Sequence, residues 1–162
     1  MEYPKRKPNR LINYDYSQVG AYFMTICTKD KQKLFWNNVG ARIARPPYEV
    51  TYELSEYGEI VNSAIQNIRI HYPSVSVDNY VIMPNHIHLL ISVRGDESGR
   101  PMGAPTISTV INQLKGYVSK QIGFPVWQKL FYDHIIRGIQ DYEEIWQYID
   151  ENPAKWETDD FY

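Results

Sequence analysis

The sequence predicts an α+β fold of the ferredoxin-like or RRM-like type, in which helices cover one face of an antiparallel sheet. The chain has 162 residues, which fits a single domain, 1–162, with a sizeable core. Its periodic segments follow the order strand, helix, strand, strand, helix, strand. Only Pro84-Asn85, a turn dipeptide that favours an antiparallel hairpin, separates the two middle strands. We expect the second sheet face to stay open for a ligand.

The first half of the chain supplies one strand and one helix. Residues 20–28 are rich in β-branched and aromatic side chains and precede a polar Lys-Asp-Lys-Gln-Lys run, which predicts the first strand. Residues 55–70 place apolar side chains at helical spacing behind Ser55. This pattern predicts an amphipathic helix with Ser55 as its N-cap.

The hairpin is predicted from two apolar runs, 75–83 and 86–93. The segment that follows, 95–106, contains three Gly and two Pro and predicts a loop. These features predict a pair of strands at the centre of the chain and a long connection after it.

Two further helices and a strand complete the prediction. An apolar stripe behind Thr106 or Ser108 continues until Gly123 and predicts a second helix. Residues 126–137 are predicted to be extended. The Asp141-x-x-Glu144 pattern predicts a capping box at the start of a C-terminal helix, which Asn152-Pro153 ends.

The composition excludes several classes of protein. The chain contains no apolar run long enough to cross a bilayer, and its N-terminus lacks the apolar core of a signal peptide, so we expect a cytoplasmic protein without a membrane partner. Cys27 is the only cysteine, which excludes an internal disulfide and a cysteine-based zinc site. A metal site would therefore use histidine, carboxylate or amide ligands.

The charges are segregated along the chain. The formal net charge is −2, which argues weakly against nucleic acid as a partner. Residues 141–162, however, carry eight acidic side chains and one basic one, a net charge of −7, and this leaves 1–140 at +5. We expect residues 1–13 to form a flexible basic arm and residues 154–162 to form an acidic tail. The arm would contact nucleic-acid phosphates or form a solvated tail, and its basic residues are Lys5, Arg6, Lys7 and Arg10.

The strongest chemical motif is His86-Ile87-His88. The two-residue period of a strand places His86 and His88 on one face, opposite the apolar face, with Cα atoms roughly 6 to 7 Å apart. Both imidazoles could then bind one metal ion. The alternative is two partly exposed histidines without a ligand.

The segment Tyr80-Val-Ile-Met-Pro-Asn-His-Ile-His-Leu-Leu-Ile-Ser-Val93 closely resembles the His-hydrophobic-His strand of the single-tyrosine HUH transposases, particularly the REP-associated tyrosine transposases and their insertion-sequence relatives. A looser resemblance includes 16–28, 55–70, 127–137 and 148–153, and so covers most of the chain. Family members are metal-dependent, single-strand-specific DNA endonucleases and strand transferases. The resemblance implies an enzyme that acts on single-stranded or hairpin DNA.

The resemblance also implies the residues that perform the reaction. It places the nucleophile at Tyr117, on the helix after the Gly- and Pro-containing loop, and a third metal ligand at Gln121 beside His86 and His88. Magnesium or manganese would be the ion. The product would be a covalent 5′-phosphotyrosine with a free 3′ hydroxyl, which a second strand's 3′ hydroxyl can attack without ATP.

Several residues have secondary or alternative roles in this hypothesis. Lys115 or Lys120 would lend positive charge near the tyrosine, and Arg137 would contact phosphate. His134 is expected to be structural. Three other tyrosines compete with Tyr117 for the role of nucleophile: Tyr132, Tyr142 and Tyr148.

Two alternative functions stay open at this point. One is an RRM-like module that binds single-stranded nucleic acid through its aromatic side chains without catalysis. The other is a metal-dependent nuclease in which water attacks the phosphate. The sequence leaves open the DNA site that is recognised and the choice between a monomer and a homodimer that exchanges its tyrosine helix.

Overall fold

The computed structural model describes residues 20–37, 44–45, 49–50, 52–95, 106–159 and 161. The basic residues predicted to form an N-terminal arm lie outside this part of the chain, as does most of the predicted loop 95–106. These basic residues are Lys5, Arg6, Lys7 and Arg10.

The predicted α+β fold is confirmed. A four-stranded antiparallel sheet contains β1 (Gly20–Cys27), β6 (Val75–Ile82), β7 (His86–Val93) and β8 (Tyr132–Ile135) in the order β6-β7-β1-β8. The first and third of these strands along the chain occupy the two central positions, which is the ferredoxin-like arrangement.

The remaining strands form two small pairs. β2 (Trp36–Asn37) pairs with β5 (Glu53–Leu54), and β3 (Ala44–Arg45) pairs with β4 (Glu49–Val50). Both pairs lie between β1 and the first helix along the chain.

The first two helices begin and end where the sequence predicts. α1 (Glu56–His71) starts behind Ser55, whose hydroxyl accepts a hydrogen bond from the Gly58 backbone N–H at 3.1 Å. α2 (Ile107–Ile122) starts behind Thr106 and ends at Gly123, whose φ of +98° favours glycine.

These two helices cover one face of the sheet. Tyr80 is in register with Leu89, and its hydroxyl donates a hydrogen bond to Asn62 Oδ1 of α1 at 2.6 Å. α1 therefore lies on the Leu89 face, and α2 packs beside α1. Apolar side chains of both helices and of this face form the main core, including Tyr22, Met24, Ile26, Ile65, Leu89 and Ile111.

The third helix, α3 (Ile139–Glu151), covers part of the opposite face. Tyr142 donates a hydrogen bond from its hydroxyl to Asp78 Oδ2 at 2.7 Å, and the Ser92 hydroxyl donates to the same oxygen. The expectation that this sheet face stays open is therefore wrong where α3 packs.

No helix in the described part of the chain has the length and apolar character of a membrane span.

The predicted capping box at Asp141 is wrong. α3 begins after Gly138, which has a φ of +106° and provides no side-chain cap. Asp141 instead accepts hydrogen bonds from the Arg137 backbone N–H at 3.0 Å and from His134 Nε2 at 2.8 Å. The carboxylate thus fixes the turn between β8 and α3.

Candidate active site

The two histidines of β7 lie together on the face that α3 covers. His88 is in register with Thr25, and the Thr25 hydroxyl lies 2.8 Å from His88 Nδ1. His86 Nδ1 lies 2.7 Å from Asn85 Oδ1. With both Nδ1 atoms engaged, the Nε2 atoms of the two rings face each other at 3.1 Å. The strand periodicity correctly predicted that the pair shares one face.

Hydrogen bonding fixes the orientation of the His86 ring. The amide of Asn85 donates through Nδ2 to the Phe161 carbonyl at 2.6 Å, so its oxygen faces the imidazole. A carbonyl oxygen only accepts, so His86 carries its proton on Nδ1. When the neighbouring ring is likewise protonated on Nδ1, both Nε2 lone pairs are available to one cation.

The histidine pair is buried. The exposed fraction is 0% for His86 and 1% for His88. Burial lowers the pKa of both imidazoles far below its ordinary value, and the proximity of His88 lowers the pKa of His86 further. Both rings are therefore neutral near pH 7, which is the form that binds metal.

Oxygen ligands approach the pair from the C-terminal part of the chain. Asp159 Oδ2 lies 3.8 Å from His86 Nε2, and one ligand atom each of His86, His88 and Asp159 lies within 4.8 Å of the others. Asn152, at the end of α3, is buried, and its side chain opposes the lowering of the His86 pKa. Among the described residues, Asn152 Oδ1 makes no hydrogen bond of ordinary geometry, although the side chain lies close enough to His86 to influence its pKa.

This donor set fits a divalent cation. Two neutral imidazoles, a carboxylate and an amide oxygen are ligands that manganese and related ions accept. A buried amide oxygen without a partner is costly, and a cation would relieve that cost. Neither Asn152 nor Asp159 was predicted from the sequence as a possible ligand.

Tyr148 lies beside the histidines. Its ring centroid is 5.4 Å from that of His88 and 5.9 Å from that of Phe23, and 43% of the residue is exposed. Tyr148 precedes Asn152 by four residues on α3, so both side chains lie on the same side of the helix. The site thus combines a partly exposed tyrosine with a buried set of metal donors.

Tyr117 lies elsewhere. It is 49% exposed and lines a groove of about 480 Å³ between α1 and α2, together with Ala64 and Ile68. Because α1 and α2 cover the Leu89 face, the sheet separates this groove from the histidines. Gln121 is exposed one turn further along α2. Within one chain, neither predicted residue meets the histidine pair.

The sequence also contained a signal that favours a tyrosine and an amide side chain from the C-terminal helix. Tyr148 and Asn152 have the same four-residue spacing as Tyr117 and Gln121, and they lie in the 148–153 segment that resembles the family. The spacing alone did not distinguish the two helices.

The other rival tyrosines are less well placed. The hydroxyl of Tyr142 is bound to Asp78, and burial together with this carboxylate raises the pKa of Tyr142 to about 12. Tyr132 is in register with Thr25, which in turn pairs with His88. Tyr132 therefore shares the histidine face, but two strand spacings place its Cα about 10 Å from that of His88.

The predicted basic residues have separate environments. Lys115 donates from Nζ to the carbonyl oxygens of Gln128 at 2.8 Å and Lys129 at 3.2 Å. Lys120 is exposed on α2, and Arg137 is exposed between β8 and α3. The structure therefore does not gather these three cations around one tyrosine.

The C-terminal residues lie over the histidines. A 3-10 helix, Pro153–Thr158, buries Trp156, and the Phe161 ring is 4.6 Å from the His86 ring. The segment predicted as an acidic tail, 154–162, thus packs against the site where it is described.

Comparisons with known proteins indicate one family. No model of a known protein family matches the chain. A Haemophilus influenzae protein of uncharacterised function is 32% identical over an alignment of 176 positions. The alignment covers 97% of this chain and 93% of that protein. A second Haemophilus influenzae protein, whose name places it among the REP-associated tyrosine transposases, is 25% identical over 155 residues, covering 90% and 77% of the two chains.

The fold is similar to that of a solved structure, a REP-associated tyrosine transposase bound to a REP hairpin. The TM-score is 0.60 at 21% sequence identity, over 91% of this chain and 74% of the other. At this identity the likeness establishes the fold. Together with the relatives that match nearly the whole chain and the His86-Ile87-His88 strand, it leads to one conclusion: the chain is similar in sequence and in fold to REP-associated tyrosine transposases.

Proposed function

We propose that the protein is a metal-dependent endonuclease and strand transferase that acts on single-stranded or hairpin DNA through a covalent phosphotyrosine. The observation that carries this proposal is the position of Tyr148, partly exposed and 5.4 Å from His88 between ring centroids. We assign the nucleophile to Tyr148 rather than to Tyr117, because Tyr148 meets the donor set within one chain.

His86 and His88 would hold the metal through their Nε2 atoms, with Asn152 Oδ1 and Asp159 as oxygen donors. When bound, a divalent ion such as Mg²⁺ or Mn²⁺ supplies positive charge that polarises the scissile phosphate. Asn85 and Thr25 support the proposal, because they orient the two imidazoles from behind.

The chemistry at Tyr148 balances without ATP. The phenolic oxygen forms a bond to phosphorus and the bond from phosphorus to the 3′ oxygen breaks, which leaves a 5′-phosphotyrosine. The phenolic proton is lost and the departing 3′ oxygen gains one. A 3′ hydroxyl from another strand can then attack the same phosphorus and release the tyrosine. A tyrosine hydroxyl, with an ordinary pKa near 10, needs nearby positive charge for the first step.

Access to the site requires a local movement. Because the rings of Trp156 and Phe161 pack against the buried His86, a DNA phosphate would reach the pair after side chains over it, such as that of Phe161, move aside. The ring of Tyr148 is exposed already. Because tyrosine and donors come from one chain, the proposal needs no exchange of a helix between subunits.

The experiment is cleavage of single-stranded DNA, with and without a hairpin, in Mn²⁺ and in EDTA. We expect metal-dependent cleavage, a 3′ hydroxyl end and a protein-linked 5′ end, with a plain duplex resistant. A free 5′ phosphate with no linked protein, even with a substrate designed to trap the intermediate, would favour attack by water. Binding without cleavage in any divalent ion would favour a non-catalytic binding module.

A further inference from the structure

We infer that a lysine-rich surface next to the histidine pair receives the sugar–phosphate backbone of the single DNA strand. This lysine surface consists of Lys29, Lys31, Lys33 and Lys129, all of them exposed. The inference rests on the proposed function, since it specifies where the strand lies relative to the site.

The first three lysines belong to residues 29–33, here called the lysine turn. This turn begins at the histidine end of the sheet. β1 ends at Cys27, which is in register with His86. The Thr28 backbone N–H donates to the Asn85 carbonyl at 2.9 Å, and the Leu34 N–H donates to the Pro84 carbonyl at 2.8 Å. The lysine turn is therefore fixed to the same Pro84-Asn85 turn whose Asn85 side chain orients His86.

Lys129 joins the surface from a neighbouring segment. The Lys29 N–H donates to the Val126 carbonyl at 2.8 Å, and the Gln128 N–H donates to the Cys27 carbonyl at 2.9 Å. These bonds hold 126–128 against the start of the lysine turn. The Lys115 ammonium, bound to the carbonyls of Gln128 and Lys129, adds a fifth positive charge nearby.

Lys33 connects the surface to the site itself. Its Nζ lies 5.8 Å from the centre of the Trp156 ring, and that ring lies 6.0 Å from the ring of His86. A phosphate backbone that follows the lysines would thus arrive beside the metal donors.

The negative charges favour this path. Asp30 is the acidic residue within the lysine turn, and Asp159 of the C-terminal segment lies 3.8 Å from His86 Nε2. α3, which covers the histidine face from the other side, has an acidic surface formed by Glu143, Glu144, Asp150 and Glu151. Because these carboxylates repel phosphates and the lysines attract them, the strand is expected to reach the site from the lysine side.

The test compares two double substitutions that remove the same charge. Lys29→Gln/Lys31→Gln alters the lysine surface, whereas Arg69→Gln/Arg94→Gln removes two exposed cations away from it. Arg69 lies on α1, and Arg94 follows Val93 at the end of β7 that is away from His86. Lys31 has a φ of +54°, so unbranched glutamine is preferred there to a β-branched residue. Lys29→Arg/Lys31→Arg serves as the charge-preserving control.

The measurement is the affinity for a fluorescent oligothymidine at several salt concentrations, in EDTA so that no cleavage occurs. Loss of two phosphate contacts should reduce the slope of log K against log salt by about 1.4, which corresponds to about 25-fold weaker binding at 0.1 M salt. The arginine variant and the Arg69→Gln/Arg94→Gln variant should bind like the wild type.

Equal weakening by the two glutamine double variants, or none by Lys29→Gln/Lys31→Gln, would overturn the inference. The result is separable from the proposed function. A wild type that binds through the lysines but forms no covalent adduct would contradict the chemistry alone, and an adduct that forms without any contribution from the lysines would contradict this surface alone.

Discussion

The rings of Tyr148 and His88 lie 5.4 Å apart on one face of the sheet, although 60 positions separate the two residues in the sequence (148 − 88). α3 places Tyr148 there and also ends at Asn152, whose buried side chain lies close enough to His86 to influence its pKa. A single helix therefore brings both the proposed nucleophile and a proposed metal donor to the histidine strand.

Removal of a histidine should abolish the response to metal. We expect His88→Ala to lose Mn²⁺-dependent cleavage and the increase in melting temperature that Mn²⁺ gives the wild type. Since His88 is buried, the alanine variant should also be less stable by about 1–3 kcal/mol. His134→Ala is the control, because His134 is exposed and paired with Asp141. A metal response that persists in His88→Ala would contradict the site.

Two matched substitutions test which amide side chain serves as a metal ligand beside the histidines. Asn152→Ala should weaken Mn²⁺ binding at least about tenfold, because it removes an oxygen donor from the buried set. Gln121→Ala should leave binding unchanged, because Gln121 is exposed on α2, which covers the opposite sheet face. Calorimetric titration of both folded variants with Mn²⁺ checks this. The reverse pattern would restore the ligand that the family resemblance implied.

The buried histidines should make the apoprotein sensitive to acid. Burial lowers the pKa of His86 and His88 in the folded state, so below about pH 6.5 the unfolded chain binds protons that the folded chain does not. Their contribution to stability is complete above that pH and decreases as pH falls, by up to about 1.4 kcal/mol per pH unit for each histidine.

Urea unfolding in EDTA at pH 7.5 and pH 5.0 measures this effect. The loss of stability on acidification should be clearly smaller in His86→Gln/His88→Gln than in the wild type. An equal loss in both proteins would show that other groups cause it.

The carboxylate of Asp78 helps to attach α3 to the sheet. Tyr142→Phe removes the hydroxyl that donates to Asp78, and we expect the free energy of unfolding to fall by about 1–2 kcal/mol. Tyr117→Phe should change it little, since Tyr117 is half exposed. If Tyr142→Phe is as stable as the wild type in urea unfolding, this hydrogen bond does not hold α3 on the sheet.

Local sequence patterns were sufficient to predict most of the helices and strands. The alternation in 86–93 fixed which side of β7 is apolar, and Ser55 and Thr106 cap α1 and α2 as their hydroxyls allow. The capping box at Asp141 failed because that carboxylate binds His134 and Arg137 across the preceding turn. A pattern of residue types cannot distinguish these competing partners.

The site was less predictable than the fold. The spacing of Tyr117 and Gln121 matches that of Tyr148 and Asn152, and the periodicity of a helix does not reveal which sheet face it covers. That choice depends on long-range contacts, such as the bond between Tyr142 and Asp78. The acidic composition of 154–162 likewise predicted a tail, whereas Trp156 and Phe161 pack it onto the histidines.

The most direct test of the central claim compares Tyr148→Phe with Tyr117→Phe. Each protein is incubated with Mn²⁺ and a hairpin-containing single strand, and protein-linked DNA is measured on a denaturing gel. Tyr148→Phe should bind metal and DNA like the wild type but form no linked band, and Tyr117→Phe should form it normally, because of these two tyrosines Tyr148 is the one beside the histidines. A linked band in Tyr148→Phe, together with its loss in Tyr117→Phe, would contradict the account.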